Sequence, residues 1–165
     1  MPCTAPRLLA GLLLGATLLT PLSTATPAIA ADGGEAVTER RISDDQVFVA
    51  GQVNRQREQK GRSRLPLRSR MMTTAQSWAQ HLASCQCLAH RQPPFNVGPG
   101  WYSAAENVGR SGDGGTLQAL HTSFMRSTGH RQNIMNSRWT HLGIGVAQDR
   151  AGEWFVVQVF ADFTR

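Results

Sequence analysis

Residues 142–146 read Leu-Gly-Ile-Gly-Val, with a bulky apolar side chain at every second position and glycine between. Only an extended strand puts alternate side chains on one face, so this run imposes a period of two. Trp154 to Phe163, rich in Val and Phe, reads as a second strand, and Asp149 to Gly152 supplies the turn between them. An antiparallel hairpin is therefore expected to close the chain. Upstream the rhythm is helical. Val47, Ala50, Val53 and Asn54 recur at helical spacing between Asp45 and Lys60, after capping residues Ser43, Asp44 and Asp45 and before Gly61. Met71, Ala75, Trp78, Ala79 and Leu82 form a second stripe. Leu117, Leu120, His121 and Phe124 mark a third helix from Thr116 to about Arg126, and a brief helical turn is expected at Asn133 to Met135. Between the second and third helices, Arg91 to Ser103 holds Pro93, Pro94, Pro99, Gly98 and Gly100 and must be an irregular loop. Ala104 to Val108 is a short segment around Glu106 and Asn107, ended by the glycine-rich turn from Gly109 to Gly115. Helices and then strands, in separate blocks, predict an α+β layout and exclude a wound βαβ sheet.

The N-terminus is of another kind. Arg7 is followed by an apolar run from Leu8 to Leu19 and then by Ala28-Ile29-Ala30, the pattern of a cleavable signal peptide. The run is shorter than the roughly 20 residues that a membrane anchor needs. We therefore expect a signal peptide at 1–30, a disordered lead-in at 31–43, and one domain at 44–165, secreted to the extracellular space with no membrane span and expected as a monomer. Cys3 leaves with the signal. Cys85 and Cys87 remain and meet oxidising conditions, where they form a disulfide, stay free or ligate a metal. A zinc site is disfavoured because no second cysteine pair completes it. Without residues 1–30 the formal charge is +5. That charge favours anionic partners such as teichoic polymers or phospholipid head groups. Its scatter, without interleaved aromatic residues, argues against nucleic acid.

Five histidines are present. His81 lies beside the stripe of the second helix and reads as a surface residue. His121 falls on the apolar side of the third helix and reads as a satisfied core histidine, whereas His141 sits in a turn. His90 and His130 each stand at the edge of an expected element, and Glu106 is an acid in an apolar setting that needs a partner if buried. Two imidazoles and a carboxylate suit a zinc ion with an open position. They suit equally a hydrogen-bonded cluster that ties loops together, and spacing alone favours the cluster. Ser127 reads as a helix cap rather than as a nucleophile paired with His130.

Several of these residues occur in a recognisable order. Asn54-x-x-Arg57, Gly61, Leu65-Pro66-Leu67, Ala75-x-x-Trp78-Ala79, His90 and Glu106-Asn107-Val108 are followed by Ser127-x-Gly129-His130-Arg131-x-Asn133-Ile134, Leu142-Gly143-Ile144-Gly145-Val146 and Gln158-Val159-Phe160. Together they resemble the CAP superfamily of cysteine-rich secretory, antigen 5 and pathogenesis-related proteins, in its short bacterial secreted branch. The resemblance implies an α-β-α sandwich with a central cleft, which in many eukaryotic members holds two His and two Glu, sometimes with zinc. By position, His90 and Glu106 match the first His and Glu, and His130 the second His. The second Glu is missing, since its place falls near Ser127, and Phe124 stands where that helix usually has Trp. The expected function is an extracellular binding module for a lipid, an envelope polymer or a protein. The alternative is a metal-assisted hydrolase or peptidase using His90, Glu106 and His130. No nucleophile or general base is identified by the sequence.

Overall fold

The structure, a computed structural model, describes residues 42–92 and 96–164. The expected signal peptide and residues 31–41 of the expected lead-in lie outside the described residues. Helix α1 (Asp44–Gln59) starts at a reciprocal capping box. The Ser43 hydroxyl accepts from the Gln46 amide (3.2 Å), and the Gln46 side chain accepts from the Ser43 amide (3.0 Å). Helix α2 (Ser69–Cys85) runs until Gln86 turns left-handed, at φ 51°. Strand β1 (Ser103–Arg110), helix α3 (Leu117–Arg126), helix α4 (Thr128–Met135), strand β2 (His141–Gln148) and strand β3 (Trp154–Asp162) follow.

The expected hairpin is present: β2 and β3 pair antiparallel, from His141 opposite Ala161 to Gln148 opposite Trp154. It is not the whole sheet. β1 pairs antiparallel with the other side of β3, giving the order β1-β3-β2. Glu106 and Asn107 interrupt the apolar alternation of β1, which is why its pattern stops short of a strand signal. Helix α4 is also longer than the brief turn expected at Asn133 to Met135. Its apolar content is low, and its end is held by a tertiary contact. The buried Arg57 guanidinium donates from Nη1 to the Ile134 and Asn136 carbonyls (2.7 and 2.9 Å), at the helix end where carbonyls are left over and a cation is favoured. His141, expected in a turn, is the first residue of β2.

Alternation along β3 divides the core in two. Val156 and Phe160 join Val49, Val53, Leu120, Phe124 and Ile134 on the face covered by α1, α3 and α4. Phe155, Val157, Val159 and Ala161 join Met71, Ala75, Ala79 and Leu82 on the face covered by α2. The sheet is thus the middle layer of an α-β-α sandwich. Gly143 and Gly145 set the spacing of one layer, because a Cβ at either would overlap the α2 backbone at Met71 and Ala75. The β2 edge of the sheet is covered by side chains from α1 and α2. On β2, Gln76 accepts from the Val146 amide and donates to its carbonyl (2.9 and 2.8 Å), while Gln46 donates to the Ile144 carbonyl (2.8 Å). The β1 edge is where the candidate site lies.

Candidate functional site

Glu106 points from β1 to the same face of the sheet as Val108 and Val159, with 1% of its side chain exposed. Its Oε1 accepts from the Arg91 amide (3.0 Å) and pairs with His90 Nδ1 at 2.9 Å. His90 lies just beyond α2 and keeps 63% of its side chain exposed. A buried carboxylate therefore fixes one nitrogen of a solvent-facing imidazole and leaves the other ring edge outward. The second carboxylate oxygen, Oε2, is buried with no hydrogen-bond partner among the described residues.

His130 arrives from the other face, on α4. Its ring meets Phe124 edge-on, with centroids 5.0 Å apart. On that face Asn107, fully buried, ties α4 to the sheet. Its Nδ2 donates to the His130 carbonyl (3.1 Å) and to Gln158 Oε1 (3.0 Å), and its Oδ1 accepts from Asn133 Nδ2 (2.9 Å). The Asn133 carbonyl in turn accepts from Trp139 Nε1 (2.8 Å). This polar chain locks α4 against the free edge of β1, with every Asn107 side-chain atom that can bond in use.

The electrostatics follow from this placement. Burial pushes the Glu106 carboxyl above the usual carboxylate range, opposed by the hydrogen bonds and charges of His90 and Arg91. The pairing offsets only part of the desolvation, since its partner is largely in water. Burial, and then the charge of His90, lower the His130 imidazole. The two histidines are therefore close enough to feel one another. They do not, with Glu106, form a group whose donor atoms all lie within 4.8 Å of one another; among the described residues that condition is met by His81, Cys85 and Cys87. Glu106 extends from β1 whereas His130 is carried by α4, and His90 Nδ1 is already committed to Glu106.

His81 is exposed, as a surface residue should be. His121 is buried, but neither ring nitrogen has a partner among the described residues, so it is a core histidine without the expected hydrogen bonds. Ser127 occupies the position before α4, where its carbonyl accepts from the Arg131 amide (2.9 Å) and its side chain makes no capping bond. Cys85 and Cys87 are joined by a disulfide with S–S 2.09 Å. Asn107, Asn133 and Arg91 were not singled out for a role by sequence reasoning. A buried-strand asparagine among apolar neighbours was the available signal for Asn107, and the Arg91 contact uses only its backbone, which no side chain announces.

These features match a known family. Residues 51–160 match the family model described as "CAP: Cysteine-rich secretory protein family", and the chain belongs to that family. It is 26% identical over 104 residues to the uncharacterized protein YkwD of Bacillus subtilis, a match covering 58% of this chain and 40% of that protein. The chain thus spans well under half the length of that relative. Among solved structures, an outer surface protein from Borrelia burgdorferi aligns with a TM-score of 0.62 at 14% identity, covering 73% of this chain and 93% of that one. An extracellular protein containing an SCP domain from Bacillus anthracis aligns with a TM-score of 0.56 at 19% identity, covering 72% of this chain and 40% of that one. At these identities the structural likeness establishes the fold. No helix among the described residues is long and apolar enough to cross a membrane.

Proposed function

We propose that this chain is a secreted CAP module that binds a phosphate-bearing component of a cell envelope at the edge of β1, with the His90 imidazole as the contacting side chain. The observation that carries the reading is the buried Glu106 carboxylate holding an exposed imidazole at 2.9 Å. Holding the ring in place lowers the entropy lost when a ligand is engaged. Exposed Leu88 and Trp101 stand on the segments that lead into His90 and into β1 and offer apolar contact. The signal-peptide pattern and the net positive charge agree with an extracellular, anionic partner. A metal-assisted hydrolase in the same cleft would need its three donors on one ion, and their present separation favours the binding reading.

The test has two arms at neutral pH: soluble lipoteichoic acid by calorimetry, and phosphatidylglycerol vesicles by sedimentation. We expect binding to one of them, weakened at least about fivefold in His90→Ala and reduced by added salt. Equal binding by the variant, or no binding to either probe, overturns the proposal. The arm that responds identifies a polymer or a lipid as the source of the phosphate.

A further inference from the structure

The cysteine bridge lies at the C-terminal end of α2. His81 and Cys85 are four residues apart in that helix and so share a face. The left-handed Gln86 then turns the chain back, so that the Cys87 amide donates to the Leu82 carbonyl (3.2 Å). The result is that one ligand atom from each of His81, Cys85 and Cys87 lies within 4.8 Å of the others. The imidazole stacks on Trp78, with centroids 4.7 Å apart, and Trp78 Nε1 donates to the Ala89 carbonyl (3.1 Å). One indole thus orients the histidine and pins the segment that carries Cys87. The His81 ring nitrogens make no hydrogen bond among the described residues. His81 and Cys85 are exposed and Cys87 is half-buried, so solvent and solutes reach all three.

A cross-link between residues two apart restrains little of the unfolded chain. An exposed bridge is also open to attack by external thiols. Neither property accounts for an oriented imidazole beside it. We propose that opening this bridge creates a binding site for a thiolate-preferring d10 cation such as Zn²⁺, with His81, Cys85 and Cys87 as its three protein ligands. In the oxidised chain the sulfurs are bonded to each other and hold no ion. Two molecules of a small thiol supply two electrons and two protons, which break the S–S bond and leave two cysteine thiols and one small-molecule disulfide. Zn²⁺ then binds both sulfurs as thiolates and the neutral imidazole, releasing two protons. The fourth tetrahedral position stays open to water or an outside ligand. The bridge is thereby a redox gate on metal binding, and it acts independently of His90, Glu106 and His130.

The test uses the full chain in a Cys3→Ser background, so that only Cys85 and Cys87 supply thiols. One sample is left oxidised, and one is reduced with excess small thiol and desalted anaerobically. Zn²⁺ is titrated into each in competition with a chromogenic chelator, and folding is verified by circular dichroism. We expect one tightly held Zn²⁺ per reduced chain, none at this site in the oxidised chain, and release of two protons per ion. His81→Ala should weaken binding by more than about tenfold, since losing a ligand costs at least what losing an outer-shell partner does. Cys85→Ser should abolish it, and His90→Ala with His130→Ala should leave it in place. No zinc in the reduced chain, equal affinity in His81→Ala, or zinc lost with His90 and His130 would each overturn the proposal.

Discussion

Asn107 carries more of this architecture than its size suggests. Its side chain satisfies the His130 carbonyl, Gln158 Oε1 and Asn133 Nδ2, the Gln158 bond fully buried and the other two partly so. Truncation to alanine would strand these groups, and each buried polar group left without a partner costs roughly 1–3 kcal/mol. Asn107→Ala is therefore expected to lower stability by at least about 2 kcal/mol, read as a shift of the urea midpoint at unchanged slope. Glu106 presents a different balance. It is buried at an energetic cost and partly compensated by His90 and the Arg91 amide. Glu106→Ala should lower stability by roughly 1–3 kcal/mol and free the His90 ring. An unchanged denaturation midpoint would show that the pair does not hold the loop to the strand.

Among the elements, β2 and α2 form the closest layer contact, and glycine sets it. A methyl group at Gly145 would occupy the space of the Ala75 carbonyl, which is backbone in the middle of a helix and cannot rotate away. Gly145→Ala should cost about 3 kcal/mol, at the upper end of what overpacking usually exacts. The same change at Gly51, whose Cβ would meet nothing within 4 Å, should be neutral or slightly stabilising because it removes a flexible residue from α1. Thermal unfolding of the two variants side by side checks both expectations. Helix α4 makes the complementary point, since it owes its extent to Arg57 donating to its last carbonyls rather than to a strong apolar stripe.

For the whole molecule, pH acts through buried histidines. Burial lowers His121 below the ordinary imidazole value, so the folded chain binds its proton less readily than the unfolded chain does. The stability this group contributes is fully present above about pH 6.5 and is lost as pH falls through its depressed folded value. His130 and His141, also lowered, act in the same direction, whereas the raised Glu106 contributes stability below about pH 4.5 that is lost as pH rises. His121→Phe should therefore gain stability relative to the parent chain as pH drops from 8 to 5. A stability difference independent of pH would show that His121 does not titrate in the fold. The period-two run at 142–146, the helical stripes and the ordered motifs were enough to read an α+β sandwich of the CAP type. His90, Glu106 and His130 could be named as candidates from residue chemistry and motif order, whereas the parts played by Asn107, Asn133 and the Arg91 amide could not. What only the tertiary structure decided is how separate segments meet. β1 joins the sheet through β3, α4 brings His130 against β1 through Asn107, and His81 lies beside both cysteines. These relations depend on strand pairing, on which face each side chain takes and on one left-handed turn at Gln86, none of which a local pattern encodes.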